Sequence, residues 1–141
     1  MSSSQTSPQS AEQALLALEE LLKEWKSITE SERRSLDSDD WSSLEDLQER
    51  KGHFQRLISD AEGCLFSGEM LSSDRKAIEK ERLRRWIEEL VRMESDNGEL
   101  LARKLSFADS QLKHSEKAIR SLRHIQQAYG VGRRSFWHAY S

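Results

Sequence analysis

Cysteine, proline and glycine are scarce in this chain. Its 141 residues include one cysteine, Cys64, one proline, Pro8, and six glycines. A lone cysteine excludes an internal disulfide and fits a reducing cytosol. Cys64 has no histidine or basic pair close in sequence to activate a thiolate, so it is expected to pack as a small apolar residue near a helix end. With no proline after residue 8, nothing of that kind breaks a long helix. No run of about 18 apolar residues occurs, so no membrane span is expected. Met1–Ser10 is rich in Ser and Gln and lacks basic and apolar regions. It does not read as a secretory signal, and residues 1–9 are expected to form a disordered arm.

Chemistry-bearing patterns are also missing. His53, His114, His124 and His138 show no metal-ligand spacing, and there is no HExxH or cysteine pair. No strand pattern precedes a glycine-rich phosphate loop. Glu88 and Glu89 are helix neighbours whose side chains diverge, so they cannot work as a catalytic dyad. The aspartates of Asp37–Asp40 lack the glycine and terminal glutamate of a calcium loop and suit helix capping instead. No catalytic, cofactor-binding or metal residue is nominated, and the chain reads as a non-enzyme.

What is present is helical patterning. Hydrophobic residues make up 35% of the chain and charged residues 33%. That is thin for a compact globule and fits long helices that each bury one face. Between Leu83 and Tyr129, apolar residues recur in steps of three and four: Leu83, Trp86, Ile87, Leu90, Val91, Leu100, Leu101, Leu105, Ala108 and Leu112. Ile119, Leu122, Ile125 and Tyr129 continue the stripe. Arg84, Arg85, Glu88, Glu89, Arg92, Arg103 and Lys113 occupy the other face. Asn97–Gly98 is a turn signal, yet the stripe resumes in phase beyond it. One helix over 74–129 is therefore expected, roughly 80 Å long at ~1.5 Å per residue. Asn97 falls on the stripe, where a polar residue can fix register by bonding across the interface.

Two earlier helices are expected at 10–35 and 39–66. Ser10 with Gln13 reads as a capping box, followed by Leu15, Leu18, Leu22, Trp25 and Ile28. Asp37–Asp40 interrupts the pattern, as a turn or a kink. Trp41, Leu44, Leu47, Phe54, Leu57, Ile58, Ala61 and Leu65 form the second inner face. Gly63, Gly68 and Ser72–Ser73–Asp74 mark the next connection, with Ser73 or Asp74 as the cap. Gly130 is the expected stop, leaving a basic and aromatic tail over 131–141 with Arg133, Arg134, Phe136, Trp137 and Tyr140. The fold class is all-α: an elongated antiparallel helical bundle or coiled-coil hairpin with one long C-terminal helix, in a single domain over 10–130.

Charge is asymmetric along the chain. Residues 1–50 hold twelve acids and five bases, whereas residues 110–141 hold six bases and one acid, Glu116. Opposite signs favour packing the first helix against the last, and a basic end also attracts an acidic partner. A nucleic-acid binder would use that basic end, but no recognisable module is present and the acidic half opposes it.

Three pieces resemble the FlgN-type flagellar export chaperones. The first is Glu32-Arg33-Arg34-Ser35-Leu36 leading to Asp40-Trp41-Ser42-Ser43-Leu44-Glu45-Asp46-Leu47-Gln48-Glu49-Arg50-Lys51. The second is Asn97 followed by Leu100–Leu101. The third is Ala128-Tyr129-Gly130-Val131-Gly132, similar also to the Tyr-Gly ending of FliT-type chaperones. The likeness spans about residues 12–132. The aromatic tail Arg133–Ser141 departs from it, and Cys64–Met70 has no counterpart. The resemblance implies a cytoplasmic, catalytically inactive chaperone of flagellar type III export. Its partners would be hook-associated junction proteins, held by their C-terminal amphipathic helices, and the export apparatus.

A client face then follows from cover. The first two helices reach only the first part of the long rod. Leu105, Leu112, Ile119, Leu122, Ile125 and Tyr129 are expected to form the client face, rimmed by Arg120 and Arg123, with Phe136 and Trp137 as further contacts. Packing on the first helix, or against a second copy in a homodimer, is the competing use of the same residues. The alternative function is a coiled-coil structural or assembly subunit of a secretion apparatus, without a client.

Overall fold

The computed structural model describes residues 8–111, 116–127 and 129. Helix α1 spans Pro8–Asp37, α2 Trp41–Glu62, α3 Ser73–Gln111 and α4 Glu116–Gln127. A π-helical turn, Gly63–Ser67, extends α2. No strand occurs among the described residues, and the protein is an all-α helical bundle.

Each long helix buries a heptad-like row. In α1 the buried positions include Ala11, Leu15, Leu18, Leu22, Trp25, Thr29, Glu32 and Leu36, alternating steps of four and three. In α3 they include Leu83, Ile87, Leu90, Glu94, Asn97 and Leu101, in the same alternation, with Glu79 and Leu105 buried one turn beyond either end. In α2 they are Leu44, Lys51 and Ile58, with Leu65 in the π-helical turn, seven apart. Such a repeat keeps one seam facing the neighbouring helices over many turns. Helix α1 is the common partner, with α2 antiparallel and α3 parallel to it. The parallel relation is visible in a ladder of ion pairs: Glu12 with Arg75, Glu19 with Arg82, and Lys26 with Glu89.

The α1–α2 junction is a turn. Asp39 takes φ 58°, and its N–H donates to the Leu36 carbonyl at 3.3 Å while the Asp40 N–H donates to the Ser35 carbonyl at 2.9 Å. That pair of bonds is the Schellman closure, built on a left-handed residue after the helix end. Asp40 then opens α2. Its carboxylate accepts from the Ser43 N–H at 3.2 Å and from the Ser43 hydroxyl at 2.7 Å. From α3, Lys104 Nζ donates to the Leu36 carbonyl at 2.5 Å and meets Asp39 Oδ1 at 2.6 Å. It thus caps the end of α1 with a cation, the sign that suits a C-terminus.

Several boundaries move from their expected places. Helix α1 already runs at Ser10, so Ser10 is an interior residue and not a cap. Ser72, one residue before the expected caps, holds the start of α3 by accepting from the Arg75 N–H at 3.1 Å. Helix α3 continues through Asn97–Gly98. Asn97 Nδ2 donates across the interface to the Thr29 carbonyl at 3.1 Å. Leu57 and Val91, expected on inner faces, are exposed at 50% and 37%.

The single rod over 74–129 is corrected. A Cβ on Gly98 would sit 3.5 Å from the Tyr129 Cβ. In one continuous helix these residues would lie about 46 Å apart. Helix α4 instead returns antiparallel along α3, and it also packs on α2. Residues 112–115, Gly130 and the 131–141 tail lie outside the described residues, as do 1–7 of the N-terminal arm.

Candidate functional site

Two features stand out at the end of the bundle that carries the α1–α2 turn. One is an apolar cradle that holds α4. The other is a buried polar layer directly above it.

The cradle is made by Leu36 of α1, Leu44 of α2, and Leu101 and Leu105 of α3. Trp41 and Leu100 pack at its edge. Helix α4 enters it with Leu122, Ile125 and the following Tyr129, which are all buried. Spacings of three and four place these three on one face, while Arg120, Arg123, His124 and Gln127 face outward and stay exposed. Tyr129 lies against α3 at Gly98, where an added Cβ would meet its side chain at 3.5 Å, an ordinary contact.

The polar layer is centred on Lys51, whose side chain is wholly buried. Its ammonium lies 2.7 Å from Glu32 Oε1 and 2.6 Å from Glu94 Oε1. Both carboxylates are buried as well. Gln48 donates to the second oxygen of Glu32, and Trp25 Nε1 donates to Glu94 at 3.2 Å. The ammonium also sits 4.9 Å from the Trp25 ring centre and 5.9 Å from that of Tyr129. Three helices thus each supply one ion, and the residue that ends the α4 face lies against the same lysine. An unpaired buried charge would cost several kcal/mol, so these groups are placed where every one finds partners.

A shallow polar hollow of about 430 Å³ opens beside the α1–α2 turn, between Ser31, Arg34, Ser35 and Ser38 on one side and Asp40, Ser43, Asp46, Leu47 and Arg50 on the other. Its serines, Arg34 and Asp40 are spent locally. Ser38 donates to the Arg34 and Ser35 carbonyls, Ser43 to Asp40, and Arg34 to Ser31. Hydrogen bonds from Ser43 hold the Asp40 carboxyl below the usual range. At the far end of the bundle, burial works against the charge of Glu79, but Arg82 and Arg75 outweigh it and lower its pKa. These are structural capping and pairing interactions. Among the described residues no group of three or more His, Cys, Asp or Glu side chains could hold a metal ion.

The chain matches no protein-family model, no curated protein and no solved structure. The site must therefore be read from its own geometry.

The expected client face is changed by that geometry. Leu105, Leu122, Ile125 and Tyr129, expected either as a client face or as packing residues, are buried within one chain. The reason is the return of α4, which gives the distal stripe an intramolecular partner. Arg120 and Arg123 do lie exposed on α4. Ile119 is in α4, but its side chain is outside the described set, and Leu112, Phe136 and Trp137 lie outside the described residues altogether. Lys51, Glu32 and Glu94 were missed by sequence reading. One signal was available: Lys51 sits seven residues after Leu44 and seven before Ile58, in the seam of the heptad row.

No helix among the described residues is long and apolar enough to cross a membrane.

Proposed function

We propose that this protein is a non-catalytic holder of amphipathic helices, acting in the cytoplasm as an export chaperone of the FlgN type. Its clients would be the C-terminal helices of flagellar hook–filament junction proteins before type III secretion. The observation that carries this reading is the cradle of Leu36, Leu44, Leu101 and Leu105. It accepts a short one-sided helix through three side chains, at positions i, i+3 and i+7, and such grooves bind helices in that register. In the free chain, α4 is the occupant. A client helix with the same pattern competes with α4 for the same leucines. The flagellar assignment rests on the ordered resemblance of residues 12–132 described above.

The test compares the full chain with one ending at Gln111. Both would be titrated with a peptide of a junction protein's C-terminal helix. The shortened chain should remain helical and bind at least tenfold more tightly, because its cradle is empty. Equal, undetectable binding by both chains, with the shortened one still folded, would overturn the reading.

A second reading has its own observation. Leu105, Leu122, Ile125 and Tyr129 are already covered within one chain, so no client is needed to shield them. The protein would then be a structural or assembly subunit of a secretion apparatus. A sealed oligomer of fixed mass at all concentrations, indifferent to the peptide, favours this alternative.

A further inference from the structure

We infer that the buried layer of Glu32, Lys51 and Glu94 is a register key, which selects one axial position of α3 on the α1–α2 hairpin and so assembles the α4 cradle. The inference stands whichever helix occupies that cradle.

The apolar rows alone do not choose a position. The row Ala11–Leu36 of α1 and the row Leu83–Leu101 of α3 follow the same alternation of four and three. Sliding α3 by seven residues, about 10 Å, brings leucine layers back opposite leucine layers. The surface ladder discriminates weakly. At the observed offset it pairs Glu12–Arg75, Glu19–Arg82 and Lys26–Glu89, all attractive. Moved one heptad in one direction it would pair Glu12 with Arg82, Glu19 with Glu89 and Lys26 with Asp96. Moved the other way it would pair Glu19 with Arg75, Lys26 with Arg82 and Arg33 with Glu89. Either slide keeps two attractive pairs and gains one repulsive pair, and exposed pairs contribute little.

The buried layer behaves differently. Glu32 and Lys51 belong to α1 and α2, which the short turn over 38–40 already fixes against each other. Glu94 is the part contributed by α3. In either slid position, Glu94 would lie against leucines, and the hairpin would face α3 without its second carboxylate. Asn97 would lose the Thr29 carbonyl in the same movement. Burying ions without their partners is what rejects the wrong register. The cradle depends on that choice because two of its leucines come from the hairpin and two from α3. The Tyr129 ring resting near Lys51 marks the same alignment.

The test replaces the layer by apolar residues: Glu32→Leu, Lys51→Met and Glu94→Leu, with Trp25→Phe to remove the indole N–H that Glu94 satisfies. Spin labels at Glu20→Cys and Arg103→Cys, in a Cys64→Ser background, report the axial position of α3. The labelled chain with its layer intact should give one distance. The apolar variant should stay helical and melt no lower, yet show a second distance displaced by about 10 Å. A single unchanged distance in the folded variant would overturn the inference, since the Asn97–Thr29 bond or the turns would then set the register. Loss of helicity or a lower melting temperature would also overturn it, because the layer would then be a stabilising element.

Discussion

At the scale of single residues, neighbouring side chains of one type have opposite work. Asp39 and Asp40 read alike in the sequence, as members of one capping cluster. Asp39 occupies the left-handed position that ends α1, and Asp40 caps α2. A left-handed aspartate is strained and glycine is not, but the change also removes an exposed pair with Lys104. Asp39→Gly is therefore expected to leave stability within about 0.5 kcal/mol of wild type by urea unfolding. Asp40→Ala has no such compensation, since it leaves the Ser43 N–H without its acceptor. It should lower the thermal midpoint by several degrees, a change Asp40→Ser would largely spare. The glycines separate in the same way. Gly52 is exposed inside α2 with open space around it, so Gly52→Ala should stabilise by about 0.5–1 kcal/mol. Gly98→Ala would reach only ordinary contact with Tyr129. Gly98→Leu would fill the place of the ring, and should release α4 while α3 remains helical.

At the scale of elements, α4 is the helix most dependent on its docking. It has 12 residues, a length at which an isolated helix is marginal in water. Its inner face reaches the cradle through Leu122, Ile125 and Tyr129. The double change Leu122→Ala and Ile125→Ala should abolish protection of the α4 amides in hydrogen exchange. Amides of α1 around Leu18 and Leu22 should keep theirs. Loss of protection throughout would mean that the bundle cannot stand without α4. The elements also show what sequence reading can reach. The stripes of α1 and α2, the turn signal of Asp37–Asp40 and the in-phase passage through Asn97–Gly98 were legible because each follows from local periodicity or turn chemistry. The return of α4 was not, because its stripe continues that of α3, and periodicity does not say where a chain doubles back. Nor was the burial of Lys51 and Glu94, because a charge between hydrophobic positions ordinarily marks a solvated face. Only partners distant in sequence, 19 and 43 residues from Lys51, make that burial tolerable.

At the scale of the whole molecule, pH separates the capping and arginine pairs of Asp40, Glu79 and Glu81 from the layer around Lys51. Asp40, Glu79 and Glu81 all have lowered pKa values, through Ser43, through Arg82 and Arg75 against the cost of burial, and through Arg84 respectively. Near pH 4 the unfolded chain therefore binds more protons at these groups than the native chain does. Their contribution to stability is complete above the ordinary carboxylate range, and it is lost as pH falls through about 4 and below. Thermal midpoints of wild type should thus fall on acidification from pH 5 to pH 3. Lys51→Met should change the direction of the response at higher pH. Removing the ammonium leaves Glu32 and Glu94 buried with no cation between them, at an expected cost of about 3–5 kcal/mol. Two buried carboxylates so placed favour taking up a proton, which raises the pKa at which they ionise in the folded state. A raised folded pKa gives stability that is present at low pH and lost as pH rises. The variant should consequently gain midpoint between pH 8 and pH 5, where Asp40, Glu79 and Glu81 contribute no slope. A variant that melts at the same temperature at pH 8 and pH 5 would show that water reaches the two carboxylates once Lys51 is gone. The dry layer across α1, α2 and α3 would then depend on the lysine for its packing as much as for its charge.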